Sequence, residues 1–380
     1  MTRPPCRPRL DLPTCDPRGV VMVQIRGEEV LLPTTIVGSY PRAMFLEGKV
    51  FPLTGVDSPE FPSFRDRTLY RNAVALAMKD MTDAGLDIVT DGCQHYESDS
   101  DYEQGEIFHF YLDRLEGFVP YGDNISAGHF NNIPVYKPTV VGPIGWRRPI
   151  FKPVVDAVVE QTDKPSKVQC AVGPATMAAL ITDEHYGGDI SALSKDLARA
   201  LNFELRDMVS RGVDMIQFAE VLTFFDPADW VVEAINIALD GIDAYKVIHI
   251  CYGQQEGQPG VTELRGPKLF PWLWDLNADC IQYEMASHGF DQSDLDAIAS
   301  IPADKHFGVG VINGKDLHAE SPEQVAAGIR KVLDVVPPER LMVFTDCTLT
   351  GLKHIVAKRK IESIVAGTNI VRAELTGQSL

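Results

Sequence analysis

The chain has 380 residues, 45% of them apolar, and carries 53 acidic against 35 basic side chains, for a net charge of −18. That length and composition support a large buried core without disulfide or metal staples. An acidic body lacks the basic face of a nucleic-acid binder, and no run of about 18 apolar residues is present to span a membrane. A small basic pocket for an anionic ligand is still compatible with this charge.

Residues 1–27 hold Pro4, Pro5, Pro8, Pro13 and Pro17, with Arg3, Arg7, Arg9 and Arg18 interspersed. Proline at this density breaks regular elements, and the apolar stretch of a secretory signal is missing. The segment reads as a flexible arm, on which self-assembly into a homo-oligomer could rest. Met22 within it is a candidate start, leaving the first 21 residues as an extension. The seven cysteines (6, 15, 93, 170, 251, 280 and 347) have no framework spacing. They point to a reducing, cytoplasmic setting, where clustered cysteines more often signal metal or catalysis than cross-links.

From residue 33 short β-branched apolar runs alternate with longer amphipathic stretches. The runs are 34–40, 87–91, 167–173, 213–218, 246–251, 279–284, 306–311 and 341–345. The helical stretches include 69–84, 190–211, 227–239, 291–300, 322–335 and 351–365. Continuous apolar strands with helices between them indicate a parallel sheet covered on its faces. Eight such units predict an α/β fold, a single (β/α)8 TIM-type barrel over residues 28–380, rather than an open sheet. Residues 94–166, with Tyr96, Tyr102, Phe108, Phe110, Tyr111 and several prolines, are too long for a barrel loop. They read as an insertion after the second strand.

In such barrels the chemistry sits at the C-terminal strand ends. The polar residues there are Ser39, Asp91, Cys93, Glu220, His249, Cys251, Glu284, Asp346 and Cys347. His249 and Cys251 lie two apart on a strand and so point to the same side. Glu284 ends the neighbouring strand and Cys347 follows the last one. One His, two Cys and one Glu make a tetrahedral N/S/O set suited to Zn²⁺, which lowers a bound thiol's pKa enough to deprotonate it at neutral pH. Each residue taken singly reads as readily as a buried core Cys or a satisfied strand-end His; the four together carry the metal reading.

Several motifs bear on a family. They are Thr34-Thr35-Ile36-Val37-Gly38-Ser39-Tyr40-Pro41, Asp83-Ala84-Gly85-Leu86-Asp87 with Asp91-Gly92, and Gly173-Pro174-Ala175-Thr176. Gln217-Phe218-Ala219-Glu220, His249-Ile250-Cys251-Tyr252, Tyr283-Glu284 and Asp346-Cys347 follow. In this order, over about residues 33–366, the chain resembles the cobalamin-independent methionine synthase superfamily, zinc enzymes that alkylate a thiol. The resemblance implies zinc ligands at His249, Cys251 and Cys347, with Glu284 as the fourth. It covers one catalytic module where the full-length plant and bacterial synthases have two.

Two positions depart from the synthases. Where these carry a Glu after Asp-Gly, the chain has Cys93; where they carry an Asp before the fourth-strand Glu, it has Ala219. Both carboxylates serve the ammonium of homocysteine, and a buried ammonium without a carboxylate partner is costly. Their loss argues for a thiol without an amino group. The epoxyalkane:coenzyme M transferase (2-hydroxypropyl-CoM lyase) branch fits that inference, since its thiol, coenzyme M, carries a sulfonate and no amine. The expected reaction joins coenzyme M to a short-chain epoxide.

Opening the epoxide develops an alkoxide that needs a donor, and His318 and Tyr252 are the candidates. Glu220 would orient a ligand or hold a water, or else be a structural carboxylate satisfied by backbone N–H groups. Arg42 and Arg265 are placed for the sulfonate, as are Arg147 and Arg148 in the insertion. The turn containing Ser39 offers N–H groups to the same anion, and Cys93 faces the thiol's head. Phe224, Phe225, Trp272 and Trp274 would wall an apolar pocket or pack in the core, and His95 is a weak pointer to a second metal. Two alternatives stay open: a methyltransferase acting on homocysteine or another thiol with a methyl-folate or corrinoid donor, and a non-catalytic zinc-binding barrel.

Overall fold

The structure, a computed structural model, describes residues 23–46, 64–95, 110–119, 125–126, 135–136, 138–221, 228–252 and 266–377. Its organising element is a parallel sheet. The segment 34–40, here β1, is followed by β2 (Val89–Thr90), β3 (Ser166–Val172), β4 (Met215–Glu220), β5 (Tyr245–Ile250), β6 (Cys280–Glu284), β7 (His306–Ile312) and β8 (Leu341–Thr345). Strands β2 to β8 pair in sequence order. β1 closes the ring through bridges from Thr34 to Val343 on β8 and from Ser39 to Gly92 beyond β2. Thr35 N donates to Val343 O and Ile88 N to Thr34 O, so β1 is stitched on both sides. All eight expected runs are thus barrel strands, in a TIM-type α/β barrel. Strands β4, β6, β7 and β8 are buried at every position, which is why they read as unbroken apolar runs.

Around the sheet lie α1 (Phe64–Ala84), α2 (Lys152–Val159), α3 (Pro174–Leu180), α4 (Ile190–Ser210), α5 (Asp229–Leu239), α6 (Gly266–Leu273), α7 (Gln292–Ile298), α8 (Pro322–Leu333) and α9 (His354–Thr376). Their starts are encoded locally. Asp189 and Asp291 accept N-terminal amides of α4 and α7, and Ser321 with Gln324 forms a capping box on α8.

The lower barrel is filled by Ile88, Met215, Val247, Cys280, Met342 and Phe344, and Val23 and Ile25 pack into the same cluster. Residues 23–27, expected to belong to a flexible arm, are therefore part of a plug. Gln24–Ile25 and Glu28–Glu29 form a hairpin, with Arg26 at φ 53 and Gly27 at φ 80 in its turn. Burying Val23 and Ile25 anchors that hairpin; residues 1–22 lie outside the described set.

Further boundaries differ from expectation, the first helix starting at Phe64 rather than near 69. The insertion read over 94–166 takes in α2, which packs on α1, α4 and β3 as part of the helical shell. Within the insertion, Glu116–Val119 pairs antiparallel with Thr139–Gly145, which also pairs with Thr182–Asp183 from beyond β3. The helix expected to end near 365 continues to Thr376 and stops at Gly377, φ 69. Gly367, inside this helix, serves close approach: a Cβ there would lie 2.6 Å from Pro322 O and from Val325 Cβ on α8.

Candidate functional site

Above the apolar plug the barrel interior turns polar. Lys167 Nζ donates to Ile36 O and Val37 O, both at 2.7 Å, and to Gln217 Oε1. Gln217 Nε2 donates to Val37 O at 2.6 Å and to Gln169 Oε1 at 3.2 Å. These bonds serve carbonyls of β1 left without a regular ladder partner. Burial pushes Lys167 down to about 7, with Cys93, Cys280 and Asp91 opposing it.

At the C-terminal end, His249, Cys251, Glu284 and Cys347 converge, with one donor atom from each within 4.8 Å of the others. His249 and Glu284 sit on the adjacent strands β5 and β6, Cys251 just past β5, and Cys347 just past β8, two strands along, so the register of β5 through β8 builds the cluster. Gln282 orients the imidazole. Its Nε2 donates to Thr345 O at 3.0 Å and to Asp346 O at 3.2 Å, which turns its Oε1 toward His249 Nδ1. An amide oxygen only accepts, so Nδ1 carries the proton and Nε2 presents a lone pair. His249 Nε2 is buried and has no hydrogen-bond partner among the described residues. Such a nitrogen, beside two sulfurs 3.6 Å apart, fits a Zn²⁺ ion, with Gln282 as the outer partner that fixes the tautomer.

Asp346, just past β8, braces the same wall. It accepts Met285 N at 2.9 Å, Ala286 N at 3.0 Å and Ser287 N at 2.5 Å, shaping the turn that carries Glu284. Burial, with Glu284 nearby, pushes Asp346 up to about 6. Glu284 Oε1 accepts Tyr252 N at 3.1 Å, and Oε2 lies 2.7 Å from Lys315 Nζ. Burial would lower Lys315, but Glu284, Cys347 and Cys251 push it up to about 12. The neighbouring Cys251 and burial push the Cys347 thiol up, a direction that a bound dication reverses.

The other expected residues divide. Ser39 is buried at the β1 end with its Oγ unpartnered among the described residues. Cys93 is fully buried in the left-handed region at φ 54. Arg42 is buried too, its Nη2 3.4 Å from Tyr70 Oη, and His95 stacks on the same Tyr70 ring at 5.2 Å. Burial and then Arg42 push His95 down to about 3, so it is a neutral packing partner. Among the described residues no second metal-type cluster accompanies it. Ala219 pairs in register with His249 and shares the inward face of β4 with Gln217.

Two expected donor roles are corrected, and Glu220 takes the structural one of its two readings. His318 has a 94% exposed side chain paired with Asp316, so it stands in water rather than over the cluster. The Tyr252 hydroxyl meets Tyr283 Oη, which in turn donates to Asp294 Oδ1 at 3.2 Å. Tyr283 alternates with the inward Gln282 and Glu284, so this chain of groups lies outside the barrel wall. Glu220 accepts Ala175 N at 3.2 Å and Thr176 N at 2.9 Å, with Thr176 Oγ1. It braces α3, and burial pushes it up to about 7. Arg147 is exposed and pairs with Glu116. Trp272 and Trp274 belong to α6 and the turn after it, Trp274 packing on Phe270 at 4.9 Å. Arg265, Phe224 and Phe225 lie outside the described residues.

Gln282 and Lys315 were not singled out from the sequence. Gln282 carried a signal, standing two residues before Glu284 on the same strand face. Lys315 follows Gly314 immediately beyond β7, and only the packing of that turn shows where it points.

The family model described as the catalytic domain of cobalamin-independent synthase matches residues 32–369. A 2-hydroxypropyl-CoM lyase of Xanthobacter autotrophicus is 31% identical, over 92% of this chain and 98% of that protein. A methionine synthase of Saccharolobus solfataricus is 30% identical, over 91% and 96%. The structure of a B12-independent methionine synthase from Shewanella sp. W3-18-1 in complex with selenomethionine superposes with a TM-score of 0.77 at 29% identity, covering 92% of this chain and all of that one.

Proposed function

The chain belongs to the cobalamin-independent synthase catalytic-domain family, and from that premise we propose that it joins coenzyme M to a short-chain epoxide at a zinc site formed by His249, Cys251, Glu284 and Cys347. Family membership supports zinc-dependent methyl or alkyl transfer to a thiol. The choice of thiol rests on one observation: Cys93 and Ala219 stand where the synthases resembled place the carboxylates that serve an ammonium. Ala219 lies in register with His249, so that missing carboxylate is missing beside the cluster itself. The 31% identity to a 2-hydroxypropyl-CoM lyase supports the same substrate.

Zinc bound here supplies a Lewis acid that keeps a substrate thiol ionised at neutral pH. The chain's residues do the rest. Gln282 holds His249 with Nε2 toward the cluster, and Asp346 fixes the turn after Glu284. The buried Arg42 guanidinium, three residues past Ser39 in the chain, is the cation proposed for the sulfonate. The protonation of the epoxide oxygen is assigned to neither His318 nor Tyr252, since one is in solvent and the other hydrogen-bonds outside the wall.

The test is thiol consumption by zinc-loaded protein. Coenzyme M with epoxyethane or epoxypropane is run beside homocysteine with methyl-tetrahydrofolate triglutamate. Turnover of the first pair only, abolished by Cys251→Ala, supports the reading. The double substitution Cys93→Glu with Ala219→Asp is then expected to favour the amine-bearing thiol. Methyl transfer is a second reading, supported by the 30% and 29% identities to methionine synthases. Turnover of the second pair by the unaltered protein would sink the amine-free assignment.

A further inference from the structure

Lys315 reaches the cluster from the turn after β7. Its Nζ lies 2.7 Å from Glu284 Oε2, and the two side chains are 4% and 0% exposed. The turn is built for this approach. A Cβ on Gly314 would collide with Thr348 O and lie 3.4 Å from Cys347 O, so a glycine lets the β7 turn lie against the β8 turn. Lys315 N donates to Asn313 Oδ1 at 3.0 Å, and Asn313 N to Glu320 Oε1 at 2.8 Å.

Glu284 thus has protein partners of its own in addition to its neighbours His249, Cys251 and Cys347. Lys315 and Ser287 Oγ (3.4 Å) face Oε2, and Tyr252 N faces Oε1. Charge gives this second set of partners a purpose. Two thiolates and a carboxylate around a dication already leave an excess negative charge. A substrate thiolate adds another, in a site where burial makes uncompensated charge costly. Moving the carboxylate onto an ammonium removes that added repulsion without exposing either group to water.

We infer that Lys315 is a positioning residue for ligand exchange: it receives Glu284 when the substrate thiol takes the carboxylate's place on zinc. This rests on the thiol-alkylation reading above and is independent of which thiol is used.

The experiment is X-ray absorption at the zinc edge on the zinc-loaded full chain, alone and with coenzyme M or homocysteine. Wild-type protein is expected to trade one oxygen neighbour for one sulfur when its thiol is added. Lys315→Met is expected to keep its zinc, retain the oxygen neighbour and bind thiol about tenfold more weakly, because the displaced carboxylate then has no buried counter-charge. Lys315→Arg, which keeps the cation, is expected to restore the exchange. An oxygen-for-sulfur trade in Lys315→Met equal to wild type, at equal thiol concentration, would overturn the role. Loss of zinc by Lys315→Met but not by Lys315→Arg would overturn it in favour of a role in assembling the site. Exchange in the wild type with homocysteine alone would overturn coenzyme M, and the same Lys315→Met comparison run with homocysteine then decides the lysine's role. No exchange with either thiol would overturn both.

Discussion

Replacing Gln282 by leucine separates metal binding from simple packing. In the wild type this amide accepts from His249 Nδ1 and donates to Thr345 O and Asp346 O at 3.0 and 3.2 Å. Leucine has a similar volume, so the space stays filled. The imidazole N–H, however, loses its acceptor in a fully buried setting, at a cost of about 1–3 kcal/mol. The proton is then no longer confined to Nδ1, and the lone pair on Nε2 is no longer guaranteed. Loss of such an outer-shell partner lowers metal affinity about 10–100-fold. Both effects should appear together: weaker zinc in competition with a chromophoric chelator, and lower stability of the metal-free protein in urea. If zinc affinity stays within about twofold of wild type (about 0.4 kcal/mol) while stability falls, then the barrel alone orients His249. The tautomer reasoning would then be refuted.

Three further outcomes follow from the geometry. Glu204, buried beneath Trp146, Ile150 and Phe151, is pushed up to about 7 by burial, partly offset by those donors. A raised folded pKa gives stability that is fully present below the unfolded value and lost as pH rises through about 7. Wild type should therefore gain on the order of 3 kcal/mol over Glu204→Gln between about pH 8 and pH 4 in urea titrations, and parallel profiles would refute this. Gly310→Ala would place a Cβ on Asp346 Oδ1 and 2.6 Å from Asp346 Cα. Overpacking of about 1–3 kcal/mol is expected, with weakened zinc binding because Asp346 shapes the turn after Glu284. Calorimetry and zinc titration check it, and unchanged zinc affinity would show that the turn is held by other groups. Ile25→Ala should cost about 2–5 kcal/mol with zinc stoichiometry intact, since the plug lies at the other end of the barrel; loss of zinc instead would show that the two ends are coupled.

The barrel was legible because its strands are buried on both faces, so periodicity and length agreed at all eight positions. The metal-type cluster was legible for a related reason: strand ends in a closed parallel barrel converge, so a His, two Cys and a Glu at matching ends must meet. What escaped were features set by tertiary approach. The last helix runs past its expected end near 365, and Gly367 within it admits α8. Tyr252 follows the metal motif, yet its ring passes through the wall because side chains alternate. The Asp316-Leu317-His318 triplet has the composition of a catalytic motif, and only the sharp turn at Gly314 reveals that Lys315 is the residue delivered inward. The first 22 residues and Arg265 fall outside what the structure describes.

The groups at the mouth of the barrel fall on two arcs. His249, Cys251, Gln282, Glu284, Lys315, Asp346 and Cys347 occupy the continuous run from β5 to β8, locked to one another by side-chain and backbone bonds. Ser39, Asp91, Cys93 and Ala219 come from β1, the segment after β2, and β4, on the other side of the mouth. A scaffold divided in this way can be re-tuned by parts. Substitutions on the second arc change the lining that faces the His249, Cys251, Glu284 and Cys347 cluster while the first arc keeps its internal bonding, so the two sides of the mouth can vary independently.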